Sequence, residues 1–186
     1  MVNGRLPALF RVGPSLATLD RDYARAGRVD SAAPVQARHQ VAVAAPPGQV
    51  FALITDVAGW PRWFPAVEGV ELSPGPLRPG SEFRWRNGKN RIRSTVATLI
   101  PGQEISWTGV CSGARAVRRH LLTETADGGT LLTVEESMSG LLLTLFYDSD
   151  RLQRATGAWL EALQAIAERG WRDGFQPGQS GSSVPA

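Results

Sequence analysis

Three residues in the second half of the chain have types that can do chemistry together. Arg118, His120 and Glu136 lie in two alternating runs, residues 114–125 and 130–139, separated by Ala126-Asp127-Gly128. Glycine supplies the positive φ that a turn of this kind needs. Pairing Thr125 with Gly129 sets Arg118 opposite Glu136 and His120 opposite Val134. Side chains alternate across a strand, so Ala116, Arg118, His120, Leu122, Leu132, Val134, Glu136 and Met138 share one face. Charges on a buried face are costly unless paired. Two readings of Arg118 and Glu136 therefore stand side by side. They form a structural ion pair, or the guanidinium offers its fork of donors to a ligand carboxylate or phenolate. His120 is either an interior or rim histidine or an acid–base group working near neutral pH. His39, at the start of the same body, reads as exposed.

Other chemistries lack their parts. Glu135 and Glu136 are adjacent, hence on opposite faces, and make no carboxylate pair. Ser94, Thr98 and Ser137 have no His-Asp arrangement to activate them. No glycine-rich phosphate loop precedes a helix. Two histidines and one cysteine argue against a metal centre, and no cofactor is expected. Cys111 has neither a helix start nor a histidine partner and reads as a packed residue. A lone cysteine excludes an internal disulfide and makes a cytoplasmic location the default.

The strands just before this hairpin carry a second pattern. In residues 81–109, Asn87-Gly88 and Pro101-Gly102 mark two further turns. With Arg86 against Arg91 and Ile100 against Gln103, one face collects Phe83, Trp85, Ile92, Ser94, Val96, Thr98, Ile105 and Trp107. The other collects Arg84, Arg86, Arg91 and Arg93, with Lys89 at the turn. A one-residue slip would bury the arginines, so the register is strongly specified. The aromatic face suits a cavity wall and equally an ordinary sheet core. The arginine face is a solvated surface compensated by Glu82, Glu104 and Glu135, or a docking patch for an acidic partner or anionic membrane. It lacks the interleaved aromatics that bind single-stranded nucleic acid.

At 186 residues, 42% hydrophobic and 20% charged, the chain suits one globular domain. Its net charge of +3 sits in residues 1–38, where six arginines face three aspartates. No apolar run spans a bilayer, and neither a transmembrane segment nor a signal peptide is expected. Residues 1–36 read as a flexible extension with a short helix near 15–26. A strand over HQVAVAA is followed by one or two short helices: one over PPGQVFALITDV, and over DVAGWPRWFP either a short second helix or an aromatic loop. Six antiparallel strands then lead to a helix over 141–169, with Leu145, Leu152, Trp159, Leu163 and Ile166 as its apolar stripe. Residues 171–186, rich in Gly, Ser and Pro, read as a disordered tail. The domain proper is expected at 37–170, with an α+β fold.

PPGQVFALITDVAGWPRWFPAVEGVE, GSEFRWRNGKNRIRSTVATLIPGQEISWTG, DGGTLLTVEESMSG and the closing WLEALQAIAER together resemble the START-like helix-grip superfamily (SRPBCC). Within it they resemble the group of polyketide cyclases, dehydrases and lipid-transport proteins. The resemblance implies a curved antiparallel β-sheet wrapped around a long C-terminal helix, with a cavity between them. It points the Arg118 face inward and places Trp60, Trp63 and Phe64 at the cavity mouth. Arg118 and His120 stand where the family commonly has other residues, which implies a cavity more polar than a pure lipid sleeve.

The ligand contacts expected on this basis are Phe83, Trp85, Ser94, Val96, Thr98, Trp107, Arg118, His120, Glu136 and Met138. The expected function is binding of a small hydrophobic, partly aromatic molecule, and lipid binding belongs to the same class. One alternative is an aromatic polyketide cyclase or dehydratase in which Arg118, His120 or Glu136 moves protons. Another is an interaction module that uses the outer arginines. Nucleic acid is not an expected partner, and the oligomeric state is left open.

Overall fold

The computed structural model describes residues 12–172. Seven strands form one antiparallel sheet: β1 (Val35–Val43), β2 (Val67–Leu72), β3 (Glu82–Asn87), β4 (Asn90–Ile100), β5 (Glu104–Cys111), β6 (Ala114–Glu124) and β7 (Thr130–Ser139). β2 to β7 run as a meander, and β1 pairs beside β7, giving the order β1-β7-β6-β5-β4-β3-β2. Helix α2 (Pro47–Thr55), a 3₁₀ turn (Val57–Gly59) and the short α3 (Trp60–Trp63) connect β1 to β2. Of the two readings of DVAGWPRWFP, the short second helix rather than an aromatic loop is the one the structure holds.

The long helix α5 runs over Ser149–Arg172. It begins later than expected. Residues 141–148 break away as a separate stretch holding the one-turn α4 (Leu143–Phe146). Leu142 sits in the left-handed region at φ 60, a conformation costly for a non-glycine residue. The Asp148 carboxylate accepts from the Arg151 amide at 2.8 Å and starts α5 afresh. Leu145 consequently leaves the apolar stripe and is 55% exposed. The face of α5 that enters the core is Leu152, Thr156, Trp159, Leu160, Leu163 and Ala167, while Ile166 is half-buried. His39 is likewise half-buried, its Nε2 2.9 Å from the Gln153 carbonyl oxygen.

Two registers fall where turn chemistry put them: Arg86 opposite Arg91, and Arg118 opposite Glu136. The middle hairpin differs. Ile100 faces Glu104 rather than Gln103, and a bulge between Val96 and Thr98 restores Val96 to Trp107 and Ser94 to Gly109. A bulge adds one residue to one strand and turns neighbouring side chains to the same side. Ala97 and Thr98 therefore both face outward. Thr98, expected among the ligand contacts, donates instead to the Ala24 carbonyl at 3.4 Å on the opposite side of the sheet.

That outer side is covered by the N-terminal segment, which was expected to be flexible. A helical turn α1 (Leu16–Thr18) runs into a π-helical turn, Leu19–Ala24. Leu19 and Ala24 are buried against Ala97 and Val117, with Tyr23 and Val29 beside them. Ser106 donates to the Ala24 carbonyl at 3.2 Å, and the Asp30 amide donates to Ser137 Oγ at 3.0 Å. The remaining outer face, on β3 and β4, carries the exposed arginines. Glu104 and Glu135 do not neutralise them. Both belong to an Arg119 network under the N-terminal segment, where Arg119 grips Glu104 at 2.7 and 3.0 Å and reaches Glu135 at 3.5 Å. The acid nearest the arginine patch is Glu68, 3.6 Å from Arg86.

A candidate ligand cavity with a buried Arg–Glu pair

Between the inner face of the sheet and α5 lies a cavity of about 550 Å³. Trp60 is the hub of its aromatic wall. Its ring lies 5.7 Å from Phe83, 5.6 Å from Trp85, 5.8 Å from Trp107 and 6.4 Å from Trp159. Most of these meet edge to face, as ring quadrupoles prefer. Two of the wall's four indole N–H groups have protein partners: Trp60 Nε1 donates to the Ile54 carbonyl at 3.0 Å and Trp85 Nε1 to Ser94 Oγ at 3.1 Å.

Arg118 reaches the cavity from β6 and Glu136 from β7. Arg118 Nη1 donates to Glu136 Oε2 at 2.9 Å, and its Nε donates to His120 Nε2 at 3.3 Å. The guanidinium also lies 4.9 Å from the Trp159 ring centroid, a cation–π contact. Its Nη2 has no hydrogen-bond partner. Burial pushes the Glu136 carboxyl up from its ordinary value, against the pull of Arg118. Burial, reinforced by the Arg118 charge, holds His120 well below the usual imidazole range. His120 is thus neutral, and accepting at Nε2 assigns its proton to Nδ1. Tyr147 joins the same electrostatic unit: burial first, and the Glu136 charge second, push its hydroxyl up.

The expected contacts separate into two groups. Trp85, Ser94, Trp107, Arg118, Glu136 and Met138 lie on the cavity wall. Phe83, Val96 and His120 do not: Phe83 and Val96 are closed into the core behind the wall, and His120 is sandwiched between Trp107 and Trp159 at 4.7 and 5.0 Å. The three residues expected at the mouth are placed differently from one another. Trp60 is 1% exposed and Trp63 packs on Phe64 and Trp159 off the wall, although Phe64 does line the space. Wall residues that are exposed to solvent are Asn90, Ser112, Leu141, Leu142, Phe146, Arg151 and Ala155. The mouth is therefore framed by the β3–β4 turn, the β5–β6 turn, the α4 stretch and the start of α5.

Sequence reading missed Tyr147, Arg151, Asn87 and the leucines 141–143 on this wall. A signal for the last was present. LLLTLFY is apolar all round, so it cannot fill one helical stripe and its surplus must face a second surface.

A buried neutral histidine leaves a pH signature. In the unfolded chain His120 takes a proton as pH falls through about 6.5; in the folded chain it resists until much lower pH. The unfolded state then binds more protons, so stability falls with acidification below 6.5 at up to about 1.4 kcal/mol per pH unit. Melting temperatures of wild type and His120→Phe across pH 7 to 5 should converge in slope only if His120 is charged when folded. The expected result is a shallower profile for the variant.

A curved antiparallel sheet gripping a long helix, with a cavity between them, defines a START-like helix-grip protein. The family model described as "Polyketide cyclase / dehydrase and lipid transport" matches residues 34–173, and the chain belongs to that family. Solved structures agree in fold. A hypothetical protein from Helicobacter pylori superposes with a TM-score of 0.66 at 13% identity, over 74% of this chain and 90% of that one. The Zhui aromatase/cyclase from Streptomyces sp. R1128 gives 0.60 at 20% identity, over 73% and 94%. A START superfamily protein from Mycobacterium smegmatis gives 0.58 at 17% identity, over 74% and 97%. No curated protein matches the chain. Among the described residues no helix is long and apolar enough to cross a membrane.

Proposed function

We propose that the protein binds a small, partly aromatic hydrophobic molecule that presents an acidic or strongly accepting oxygen to Arg118. The observation that carries this reading is a guanidinium on an aromatic cavity wall with donors the protein leaves unused. A buried unsatisfied donor costs about 1–3 kcal/mol, and a ligand oxygen can recover that cost. Tryptophans 60, 85, 107 and 159 supply flat apolar contact area, and Ser94 and Tyr147 add hydroxyls to the same walls. The volume is that of pockets holding molecules of drug size.

A second reading rests on Glu136. A carboxyl raised by burial beside an arginine is suited to taking a proton from carbon next to a carbonyl while Arg118 stabilises the resulting oxyanion. The Zhui structure is named for aromatase/cyclase chemistry, which makes cyclisation or dehydration of a poly-carbonyl chain the reaction class to test. An open cavity weakens the case for a module that acts by its outer arginines alone.

Native mass spectrometry of freshly purified protein tests for a retained small molecule. Titration with anilinonaphthalene sulfonate, an anionic aromatic fluorophore, tests the cavity itself. Ala116 is a half-buried wall residue on the strand that carries Arg118. Ala116→Trp should fill the space, abolish probe fluorescence and change stability little. Val96 is 0% exposed, and Val96→Trp should instead overpack the core at about 1–3 kcal/mol. Undiminished probe binding by a folded Ala116→Trp protein would remove the cavity from the argument.

A further inference from the structure

We infer that the cavity mouth docks on anionic lipid surfaces, one lip entering the bilayer and the other meeting its headgroups. The first lip is the stretch around α4. Leu141 is 60% exposed, Leu142 37%, Leu145 55% and Phe146 75%. No other part of the described chain gathers large exposed apolar side chains in this way: Val12, Ile100 and Trp171 are the remaining ones, each alone in sequence. A soluble surface rarely tolerates a contiguous patch of this kind without an occupant. The backbone holds the patch outward at a cost, since Leu142 keeps φ 60, and strain of that kind persists where a site uses it.

The second lip is basic. Asn87 and Asn90 line the cavity, and Gly88 and Lys89 form the turn between them. Arg86 and Arg91, the next residue on either side, project from the outer face as a cross-strand pair. Like charges placed opposite each other destabilise a sheet, so the pair calls for an anionic partner. Glu68 offsets Arg86 in part at 3.6 Å. On the first lip Arg151 lies among Asp148 and Asp150, so the basic excess belongs to the β3–β4 turn. An apolar lip and a cationic lip on either side of the mouth match the two layers of a membrane interface: side chains such as Phe and Leu enter the acyl boundary while Lys and Arg stay with anionic headgroups. A protein partner seated there would seal the cavity; a lipid surface lets an apolar ligand pass directly between bilayer and cavity.

The test is co-sedimentation of the full chain with phosphatidylcholine vesicles, with and without phosphatidylglycerol, and no ligand added. It therefore succeeds or fails independently of what the cavity holds. The expected result is binding to the anionic vesicles that weakens with salt. Phe146→Ser should lower partitioning about tenfold or more. Lys89→Glu with Arg91→Glu should lower it at least about fivefold on anionic vesicles and leave neutral vesicles unaffected. All these side chains are exposed, so the variants should melt with the parent; if Phe146→Ser unfolds, Leu141→Ser on the same lip takes its place. No association with any vesicle, or equal association by a folded Phe146→Ser or Leu141→Ser protein, would overturn the inference. So would a dimer in sedimentation velocity that dissociates on Phe146→Ser, since the patch would then be covered by a second copy.

Discussion

Arg118→Ala should lower the melting temperature by about 6–20 °C near neutral pH, one of the two largest effects expected from the structure. The side chain ties together three groups that are costly to bury apart: Glu136 at 2.9 Å, His120 at 3.3 Å and the Trp159 face at 4.9 Å. Both members of the ion pair are only 12% exposed. Removing one half of such a pair costs about 3–5 kcal/mol, and each kcal/mol moves a domain of this size by roughly 2–4 °C. The loss has a pH dependence whose sign is fixed. Glu136 already sits above its ordinary value because of burial, with Arg118 opposing the shift; without Arg118 it rises further. A carboxyl raised in the folded state binds more protons there than in the unfolded chain, so stability declines as pH rises above the ordinary value of 4.5. The deficit of Arg118→Ala should therefore be smallest in acid and grow toward neutrality. Melting curves between pH 4 and 7.5 measure it, and a deficit independent of pH would mean that Glu136 is not what Arg118 supports.

The double variant Arg118→Met with Glu136→Leu separates structure from binding. Apolar replacement of a whole buried pair is often neutral or stabilising, so the double variant should recover most of the lost stability. Under the proposed function it should also lose the anionic probe while a neutral aromatic probe still enters. Equal affinity of wild type and a well-folded double variant for the anionic probe would reduce the pair to a structural role.

The pair was legible in the sequence because its hairpin has an unambiguous turn and a strict alternation through Arg118, His120, Val134 and Glu136. Residues 95–100, TVATLI, offer no such contrast. Val, Ala, Thr and Leu sit on either side of a sheet equally well, so the bulge at Ala97 left no trace in the pattern and Thr98 was assigned to the wrong face. The break before α5 was obscured for a related reason: an apolar run continues across it, and only Asp148 marks the new helix start. The place of the mouth depended on which wall residues reach solvent, a property of three loops converging, which no single segment encodes. The N-terminal segment was hidden because its partner surface looks inert. Ala97, Ser106, Val117 and Ser137 are small or hydroxylated residues on the outer side of β4 to β7, and nothing in their types announces a cover.

That cover sets the second large expectation. Leu19 is 2% exposed and Ala24 fully buried, although they belong to a segment that composition alone assigned to solvent. Truncating a buried leucine to alanine costs about 2–5 kcal/mol, so Leu19→Ala should lower the melting temperature by about 4–20 °C. A chain starting at Pro34 should lose at least as much. It exposes Ala97 and Val117, and it returns the Thr98 and Ser106 hydroxyls and the Ser137 oxygen to water. Entropy recovered by freeing the segment offsets part of this, which is why the single substitution is the cleaner measurement. The effect should reach the cavity as well. Val117 and Ser137 are the immediate neighbours of Arg118 and Glu136 and point to the opposite side of the same two strands. The segment thus braces from behind the strands that hold the ion pair, and the shortened chain should bind the anionic probe more weakly even below its own melting transition. Melting and probe affinity unchanged in both Leu19→Ala and the shortened chain would mean that the segment rests on the sheet without supporting it.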